Sequence, residues 1–465
     1  MCDKNDSVPI LSLPKNNERF NNLRTYFVKK YNSEPDYFVR IPGRVNLIGE
    51  HIDYCGYGVC PMALDQDIIV AVKIIPDSNT LKINNVDPKY GEHICSLTNF
   101  SIDIENEKAP KWYNYFLCGV KGIQDVGGVD FGFGLNVAVT GNIPPGSGLS
   151  SSSALVSASV LALAYAKKLN LNKEELANIS ASCERYIGTQ GGGMDQAIAF
   201  LASEGCAKLI NFSPLRCQDV YLPKGATFII SHSLSELNKA ATSDFNCRVM
   251  ECKLAAKLLA HKKNLEWETV SILKQVQTML NLSLEKMPGL VNALLHDEPY
   301  TKTELCSEFN ISNEKFESIL SHNTKHLTTF YLKQRSLHVY EEALRVTTFY
   351  NLCEQVRLGT ANNSDTLVQL GKLMNESHDS LQKLYECSHE NLDEIVQISR
   401  TVALGSRLTG AGWGGCSVSL VKPEKVDEFI EKLRKCFYEE RNVFKLEGLA
   451  FVSSPKNGAS VFVNT

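Results

Sequence analysis

Apolar and polar positions follow two different patterns along the first half of the chain. At residues 18–32 and 112–126 the apolar positions recur with helical spacing, which predicts amphipathic helices. Apolar runs rich in β-branched residues occupy positions 37–41, 66–75 and 134–141, and these predict strands. The first half is therefore expected to alternate helices and strands in a mixed α and β fold.

The pattern changes after the strand-like run ATFIISHS at residues 226–233. Long stretches with helical spacing follow at residues 244–262, 325–356 and 366–385. Strands are predicted again only near the end, at residues 416–421 and 459–464.

This change of pattern predicts two domains. We place the junction near residue 225, which gives an N-terminal domain of residues 1–225 and a C-terminal domain of residues 226–465. Residues 285–323 are polar and contain MPG and DEPYTK, so we interpret them as an insertion within the second domain.

Composition narrows the class of protein. The chain has 465 residues, of which 43% are hydrophobic and 22% are charged, as in an ordinary folded protein. The formal net charge is -4 and no block of like charges occurs, so we expect neither a nucleic-acid partner nor a membrane surface. No run approaches the roughly 18 apolar residues that span a bilayer. A small molecule is the expected ligand.

Cysteines and the N-terminal residues bear on the cellular compartment. The 15 cysteines are scattered, odd in number and without a CxxC pair, which is typical of reduced thiols. The first residues, MCDKNDSVPILSLPKNNERF, lack the apolar stretch of a signal peptide. We therefore expect a cytoplasmic protein.

The strongest candidate for chemistry is GNIPPGSGLSSSSAL, residues 141–155. A predicted strand leads into prolines, glycines and four serines before a predicted helix. Backbone N–H groups at a helix N-terminus bind anions, and serine hydroxyls add contacts to phosphate or to a metal ion. Because the Lys-Ser/Thr ending of a Walker A loop is absent, the segment indicates another kind of phosphate loop. A serine-capped helix after a flexible linker is the alternative.

A second segment, RIPGRVNLIGEHIDYCGY at residues 40–57, places ionisable side chains among apolar ones. Its members are Arg44, Glu50, His51 and Asp53. Such a set suits hydrogen bonding to a polyhydroxylated ligand, since sugar hydroxyls both donate and accept. A metal site is disfavoured because the segment has one histidine and no HExxH register. A structural hairpin with a salt bridge remains the alternative.

A third segment, residues 182–200, carries two more carboxylates. Glu184 comes first, and Asp195 follows a run of three glycines. A carboxylate behind a glycine-rich turn can approach a ligand closely and can take or orient a hydroxyl proton. An N-cap aspartate is the alternative.

Two further motifs match nucleotide-binding patterns without their context. Gly410, Gly412 and Gly415 satisfy GxGxxG, but a strand-like segment follows where a dinucleotide fold requires a helix. These glycines are instead expected to let the backbone approach a phosphate or the substrate. The DFG at residues 130–132 has neither the HRD nor the VAIK motif of protein kinases, and we treat it as coincidence.

Taken together, GRVNLIGEHIDY, PPGSGLSSSSA, GGGMDQ and LTGAGWGG resemble the motifs of the GHMP small-molecule kinases in order and spacing. The first of these motifs is similar to the galactokinase signature. The variants HIDYCGY, GLSSSSA, YIGTQGGGMDQ and ELNKAATSDFN resemble the N-acetylgalactosamine kinase branch of that family. Galactose-type kinases commonly carry Thr where Ile52 stands, Asn at Cys55 and Tyr at Phe245.

The resemblance implies a role for each residue that matches a family motif. The residues implied to bind the sugar are Arg44, Glu50, His51, Asp53 and Asp195. Those implied to bind ATP are Gly146, Gly148, Ser150, Ser151, Ser152, Asn238 and Lys239, with Trp112 near the adenine. Those implied to bind Mg²⁺ are Ser152 and Glu184.

The resemblance also implies an α+β, two-domain GHMP kinase fold with the active site in the interdomain cleft. The anomeric hydroxyl of the sugar would attack the γ-phosphate of ATP, with Arg44 compensating charge on the transferred group. Asp195 would accept or orient the hydroxyl proton.

The substrate implied is N-acetylgalactosamine, phosphorylated at the anomeric hydroxyl, with galactose as a weaker substrate. The alternatives are a galactokinase proper and a sensor protein that binds sugar and ATP with little catalysis. An enzyme is favoured because the serine loop is complete, including Ser153 and Ala154. We expect the protein to act as a monomer.

Overall fold

Helices and strands both contribute to the structure, a computed structural model that describes residues 6–102, 110–236 and 243–464. The helices are α1 (Glu18–Tyr31), α2 (Trp112–Gly127), α3 (Ser151–Ala166), α4 (Lys173–Cys183), α5 (Met194–Leu201), α6 (Asp244–Lys262), α7 (Leu273–Met279), α8 (Met287–Leu294), α9 (Lys302–Phe309), α10 (Asn313–Ile319), α11 (Leu332–Arg357), α12 (Asn363–Ser380), α13 (Glu390–Ser399) and α14 (Val426–Leu433).

The strands form sheets of unequal size. They are β1 (Ile10–Ser12), β2 (Tyr37–Ile48), β3 (Cys60–Pro76), β4 (Thr80–Asn85), β5 (His93–Ser96), β6 (Phe133–Gly141), β7 (Ala207–Asn211), β8 (Arg216–Val220), β9 (Thr227–His232), β10 (Tyr300–Thr301), β11 (Thr329–Phe330), β12 (Gly405–Thr409), β13 (Cys416–Val421), β14 (Ala450–Ser453) and β15 (Ser460–Val463).

The first half of the chain is built on a seven-stranded sheet in the order β1-β15-β2-β3-β6-β4-β5. Helix α3 lies against β2 and β3. Its sequence, SSSALVSASVLALAYA, is almost entirely buried, and its alanines and serines leave room for the neighbouring α2. Ser159 of α3 donates a hydrogen bond to the carbonyl oxygen of Phe116 in α2, at 2.6 Å. This hydrogen bond joins α2 and α3 near the middle of α3.

The second half combines a four-stranded sheet, in the order β12-β13-β9-β14, with the long helices α6, α11 and α12. The predicted insertion forms α8, α9 and α10, whose buried side chains include Met287, Leu305 and Phe316. Strand β15 leaves this half and pairs with β1 and β2 of the first sheet. The fold is thus α+β, as expected, and the division at residue 225 stays a prediction.

No disulfide bond joins two cysteines among the described residues. Among the described residues, no helix combines the length and apolar character that crossing a membrane requires.

Two ionisable side chains of α11, His338 and Glu342, are fully buried where the two halves meet. Burial lowers the pKa of His338 to about 4. Burial also opposes ionisation of Glu342, but the guanidinium groups of Arg345 and Arg407 outweigh it and lower the pKa of Glu342 to about 2. His338 is therefore neutral and Glu342 charged in the folded protein at neutral pH.

We expect the free energy of unfolding to fall as the pH drops from 6.5 to about 4. In that window His338 takes up a proton in the unfolded state but not in the folded state, so stability rises with pH across it. The lowering of the His338 pKa from 6.5 to about 4 corresponds to a change of about 3 kcal/mol in the free energy of unfolding. Urea denaturation at several pH values measures this slope, and His338→Gln should reduce it. An unchanged slope in that variant would contradict the assignment.

Candidate active site

The turn that follows β2 presents Glu50 and His51 to a cavity between the two halves. Glu50 is only 2% exposed, and its Oε1 accepts a hydrogen bond from the backbone N–H of Gly410 at 2.7 Å. The Nη1 of Arg407 lies 3.6 Å from the same oxygen. His51 has a φ of 63°, and its Nε2 lies 2.9 Å from the carbonyl oxygen of Ala411. Residues near the end of β12 thus orient both side chains.

Hydrogen bonds to both ring nitrogens fix the tautomer of His51. Because a carbonyl oxygen only accepts, Nε2 of His51 carries the proton and Nδ1 accepts from the Tyr54 hydroxyl at 2.7 Å. The Tyr54 oxygen in turn lies 2.6 Å from the Tyr385 hydroxyl, and Cys252 Sγ lies 3.2 Å from that hydroxyl. Burial raises the pKa of both tyrosines, so they stay protonated. The imidazole is held in one orientation beside the cavity.

Asp195, in the first turn of α5, forms a salt bridge with Arg44 of β2. The Nε of Arg44 lies 2.7 Å from Oδ1 of Asp195, and the same guanidinium donates to the carbonyl oxygen of Gly148. Asp53 accepts a hydrogen bond from the backbone N–H of Met194 at 3.4 Å, which connects the segment after β2 to α5. The guanidinium stabilises the negatively charged carboxylate of Asp195.

Ser153 lies between the two carboxylates of the third segment. Its Oγ is 3.0 Å from Oε1 of Glu184 and 3.3 Å from Oδ2 of Asp195. Gln196 donates from Nε2 to the other oxygen of Glu184. The hydrogen bond to Glu184 comes from Ser153, and the pairing of Glu184 with Ser152 as metal ligands stays a prediction. Glu184 and Asp195 are thereby linked through one hydroxyl.

The serine loop lines a cavity that Arg44 and Asp195 also line. Ser150 has a φ of 67°, and α3 begins at the next residue, so the first N–H groups of a 16-residue helix face the loop. The Ser150 Oγ is buried and has no hydrogen-bond partner among the described residues. A buried hydroxyl beside a helix N-terminus suits an anionic ligand such as a phosphate group.

The glycine-rich loop between β12 and β13 packs against the serine loop. Gly410 has a φ of 85°, and a Cβ atom built on it would lie 2.4 Å from the carbonyl oxygen of Gly148. A side chain at this position would therefore both strain the backbone and displace the serine loop. Contact with the serine loop explains the glycine at this position, and a close approach of these glycines to a phosphate or the substrate stays a prediction.

Two adjoining cavities, both open to solvent, lie among the described residues. The smaller, of about 540 Å³ with its solvent-open space counted, is lined by the predicted sugar residues Arg44, Glu50, His51, Asp53 and Asp195, together with Ser153, Glu184 and Phe245. The larger, of about 1750 Å³ on the same measure, is lined by Trp112 and by the predicted phosphate residues Gly146, Gly148, Ser150, Ser151 and Ser152. Arg44 and Asp195 line both cavities. The salt bridge therefore stands where the two spaces meet.

The structure does not bear on every residue of the predicted site. Asn238 and Lys239 lie outside the described residues. Sequence reasoning missed Ser153 and Tyr54 as members of the site. Ser153 belongs to the same serine run as Ser152, and Tyr54 follows Asp53, so their neighbours in sequence were the available signal.

Comparisons with known proteins show which superfamily the chain resembles. Residues 114–203 match the GHMP kinases N terminal domain, and residues 361–439 match GHMP kinases C terminal. The crystal structure of Lactococcus lactis galactokinase complexed with galactose superposes with a TM-score of 0.74, at 23% identity, over 95% of this chain and 99% of that one. The two family matches, together with the fold, identify a GHMP kinase.

The family within this superfamily follows from sequence. Residues 25–74 match the galactokinase galactose-binding signature. The chain is 42% identical to the galactokinase of Dictyostelium discoideum, over 97% of this chain and 95% of the relative. It is 34% identical to the galactokinase of Saccharomyces cerevisiae, over 94% and 93% of the two chains. The chain belongs to the galactokinase family and is a sugar kinase, a phosphotransferase.

Proposed function

We propose that the protein transfers the γ-phosphoryl group of ATP to the anomeric hydroxyl of a galactose-type monosaccharide. The observation that carries this proposal is the salt bridge of Arg44 and Asp195 at the junction of the two cavities. A sugar in the smaller cavity and a nucleotide in the larger one would meet at this pair. Relatives named galactokinase support galactose as the sugar.

Each residue of the junction has a defined task in this reaction. Asp195 takes the proton of the anomeric hydroxyl as that oxygen bonds to the γ-phosphorus and the bond to the β-phosphate oxygen of ATP breaks. Arg44 compensates the negative charge on the transferred group and holds Asp195 in place. Products are the sugar 1-phosphate and ADP.

The residues beside the junction fit a magnesium ion. Glu184 supplies a buried carboxylate, and the serines of the first turn of α3 supply hydroxyls, all hard oxygen donors. Among the described residues, no cluster of three or more histidine, cysteine or acidic side chains forms a closed metal site. Mg²⁺ commonly takes one or two carboxylates and completes its shell with phosphate oxygens. We propose Glu184 and Ser152 as its ligands, and when bound the ion would neutralise phosphate charge.

Replacing Glu184 with Gln is expected to raise the Mg²⁺ concentration required for half-maximal rate by about tenfold or more, because the amide is a neutral and weaker ligand. The KM for the sugar should change much less. Titrating Mg²⁺ at saturating sugar and ATP measures the effect. A change confined to the sugar KM would instead place Glu184 among the sugar contacts.

N-acetylgalactosamine is the second candidate substrate, and one wall of the smaller cavity favours it. Phe245 lines this cavity and packs against His51 and Tyr54, with ring centroids 5.5 Å from each. It carries no hydroxyl where galactose-type kinases commonly have tyrosine. A Cβ atom built on Gly191, in the same cavity, would meet nothing within 4 Å. The apolar ring and the open space at Gly191 are the two features that support N-acetylgalactosamine.

The proposal is tested by measuring ADP release from ATP and Mg²⁺ across a panel of monosaccharides, with identification of the phosphorylated carbon. We expect turnover of galactose at the anomeric oxygen. Comparable or higher kcat/KM for N-acetylgalactosamine would establish the second candidate. Sugar and ATP binding without ADP release would instead identify a sensor protein, and the absence of binding to either sugar would overturn the proposal.

Phe245→Tyr is expected to raise the ratio of kcat/KM for galactose to that for N-acetylgalactosamine by about fivefold, since one added hydrogen bond contributes ~1 kcal/mol. The new hydroxyl can reach a bare sugar and also fills space that an acetamido group needs. Phe444→Tyr, at a side chain 68% exposed, is the matched control. An unchanged ratio would show that Phe245 does not set the sugar preference.

A further inference from the structure

Two side chains of helix α11 form hydrogen bonds with the backbone of the turn of residues 49–51. His338 and Glu342 are four residues apart and lie on the same face of the helix. The Nε2 of His338 is 3.1 Å from the carbonyl oxygen of Glu50, and Oε1 of Glu342 is 2.9 Å from the backbone nitrogen of Gly49. The two side chains thus bind the N–H of one turn residue and the C=O of the next.

The hydrogen bonds of His338 have a single consistent assignment. The Glu50 carbonyl only accepts, so Nε2 carries the proton, and Nδ1 accepts from the Ser380 hydroxyl at 2.9 Å. The His338 ring also packs on the Tyr385 ring, with centroids 4.5 Å apart. The Tyr385 ring in turn packs on the His51 ring, with centroids 4.7 Å apart. His338 therefore supports the turn through both the backbone and the aromatic stack.

Several hydrogen bonds and ion pairs hold the Glu342 carboxylate in one position. Its carboxylate accepts from Ser377 Oγ at 2.6 Å and from Arg345 Nε at 2.6 Å, and Arg407 Nη2 lies 4.0 Å away. Paired charges of this kind are stable in a protein interior only when their hydrogen bonds are satisfied. The carboxylate is consequently a fixed acceptor for the N–H of Gly49.

The turn contains a left-handed residue that is not glycine. His51 has a φ of 63°, whereas the φ of 106° at Gly49 is one that glycine adopts readily. A Cβ atom built on Gly49 would lie 2.9 Å from Cγ2 of Val346, so the turn is pressed against α11. Left-handed residues persist when their surroundings determine them, and they cluster at functional sites.

We propose that His338 and Glu342 are positioning residues for sugar binding, which act by holding the turn of residues 49–51 in the conformation that points Glu50 and His51 at the sugar. Neither side chain lines the smaller or the larger cavity. The inference rests on the proposed function in one respect, because it takes this turn as part of the sugar site. It adds that helix α11, in the second half of the chain, determines affinity for the sugar.

A general structural role makes a different prediction from a positioning role. Loss of packing between the halves would lower stability and weaken sugar and ATP binding together. Loss of positioning would weaken sugar binding selectively, because the serine loop and α3 have no hydrogen bond to either residue among the described contacts.

The experiment compares His338→Ala, His338→Gln and Glu342→Gln with Tyr340→Phe as the matched control. Tyr340 is buried between them on α11 and donates its hydroxyl to the Leu273 carbonyl at 3.1 Å, away from the turn. The measurements are the Kd of galactose and of N-acetylgalactosamine by calorimetry without ATP, both KM values, and the Tm.

We expect His338→Ala and Glu342→Gln to raise the sugar Kd and KM by about tenfold, with the ATP KM within about twofold of wild type. His338→Gln keeps an N–H donor for the Glu50 carbonyl and should restore most of the affinity. Tyr340→Phe should lower the Tm with both KM values unchanged. Glu342→Gln keeps the side-chain volume but has only one acceptor oxygen. The Arg345 guanidinium draws that oxygen to its side, so the amide nitrogen then faces the N–H of Gly49 and that hydrogen bond is lost. This variant therefore decides the question even if His338→Ala does not fold.

Equal rises in the sugar KM and the ATP KM, or an unchanged sugar Kd in Glu342→Gln, would overturn the inference. Failure of the proposed function would look different. In that case the wild-type protein itself would bind neither sugar, whereas failure of the positioning role alone leaves wild-type sugar binding intact.

Discussion

Replacing Asp195 with Asn is expected to lower kcat by about 10²–10⁴, the usual contribution of a positioned acid–base group. The amide has nearly the same shape, so the fold and the sugar Kd should change little. It cannot take a proton from the anomeric hydroxyl, and its neutral oxygen interacts more weakly with Arg44 than the carboxylate that now lies 2.7 Å away.

The effect is measured as single-turnover phosphorylation, with sugar affinity determined separately by calorimetry. Asp65→Asn, at an exposed side chain of β3, is the matched control and should retain wild-type turnover. Near wild-type kcat in Asp195→Asn would show that Asp195 is not the proton acceptor. The reaction would then depend on Arg44 and the serine loop for charge compensation alone.

Gly410→Ala is expected to lower the free energy of unfolding by about 2–5 kcal/mol and to weaken ATP binding severely. A left-handed alanine costs ~1–2 kcal/mol, and overpacking adds about 1–3 kcal/mol. The new methyl group would meet the carbonyl oxygen of Gly148, so the serine loop must move. Movement of that loop displaces the hydroxyls and N–H groups proposed to bind phosphate.

Urea denaturation and nucleotide titration measure the two effects of Gly410→Ala. Gly289→Ala serves as the control, because Gly289 lies in α8 and a Cβ atom there meets nothing within 4 Å. That change should leave ATP binding intact and stabilise the helix slightly. An ATP Kd for Gly410→Ala within a factor of about two of wild type would show that the serine loop tolerates the displacement.

Much of the fold could be predicted from the local sequence. Helix α1 begins at Glu18 because Asn17 caps it, and its predicted range of residues 18–32 differs by one residue from the observed one. The predicted helix at residues 325–356 is the clearest error. Its first residues instead contain β11, which pairs with β10, and the helix begins at Leu332. Residues 329–330 form a strand because they pair with β10, and this pairing decides their structure over the local helical spacing.

The site was predictable where its chemistry lies within one contiguous motif. The segments that carry Arg44, Glu50 and Asp195 could be identified, and the structure brings these three residues to one cavity. The contributions of His338 and Glu342 could not, because each sits in an ordinary helical pattern. Their role depends on contacts with a turn nearly 300 residues earlier in the chain.

Strand β15 ties the order of synthesis to the assembly of the site. It inserts between β1 and β2, and β2 is the strand that carries Arg44. During translation β2 can pair with β3 early, but its other edge stays open until residues 460–463 have left the ribosome. The sheet that carries Arg44 is therefore completed only after residues 460–463 have been made, so a nascent chain exposes an unpaired edge of β2 while the residues between β3 and β15 are synthesised.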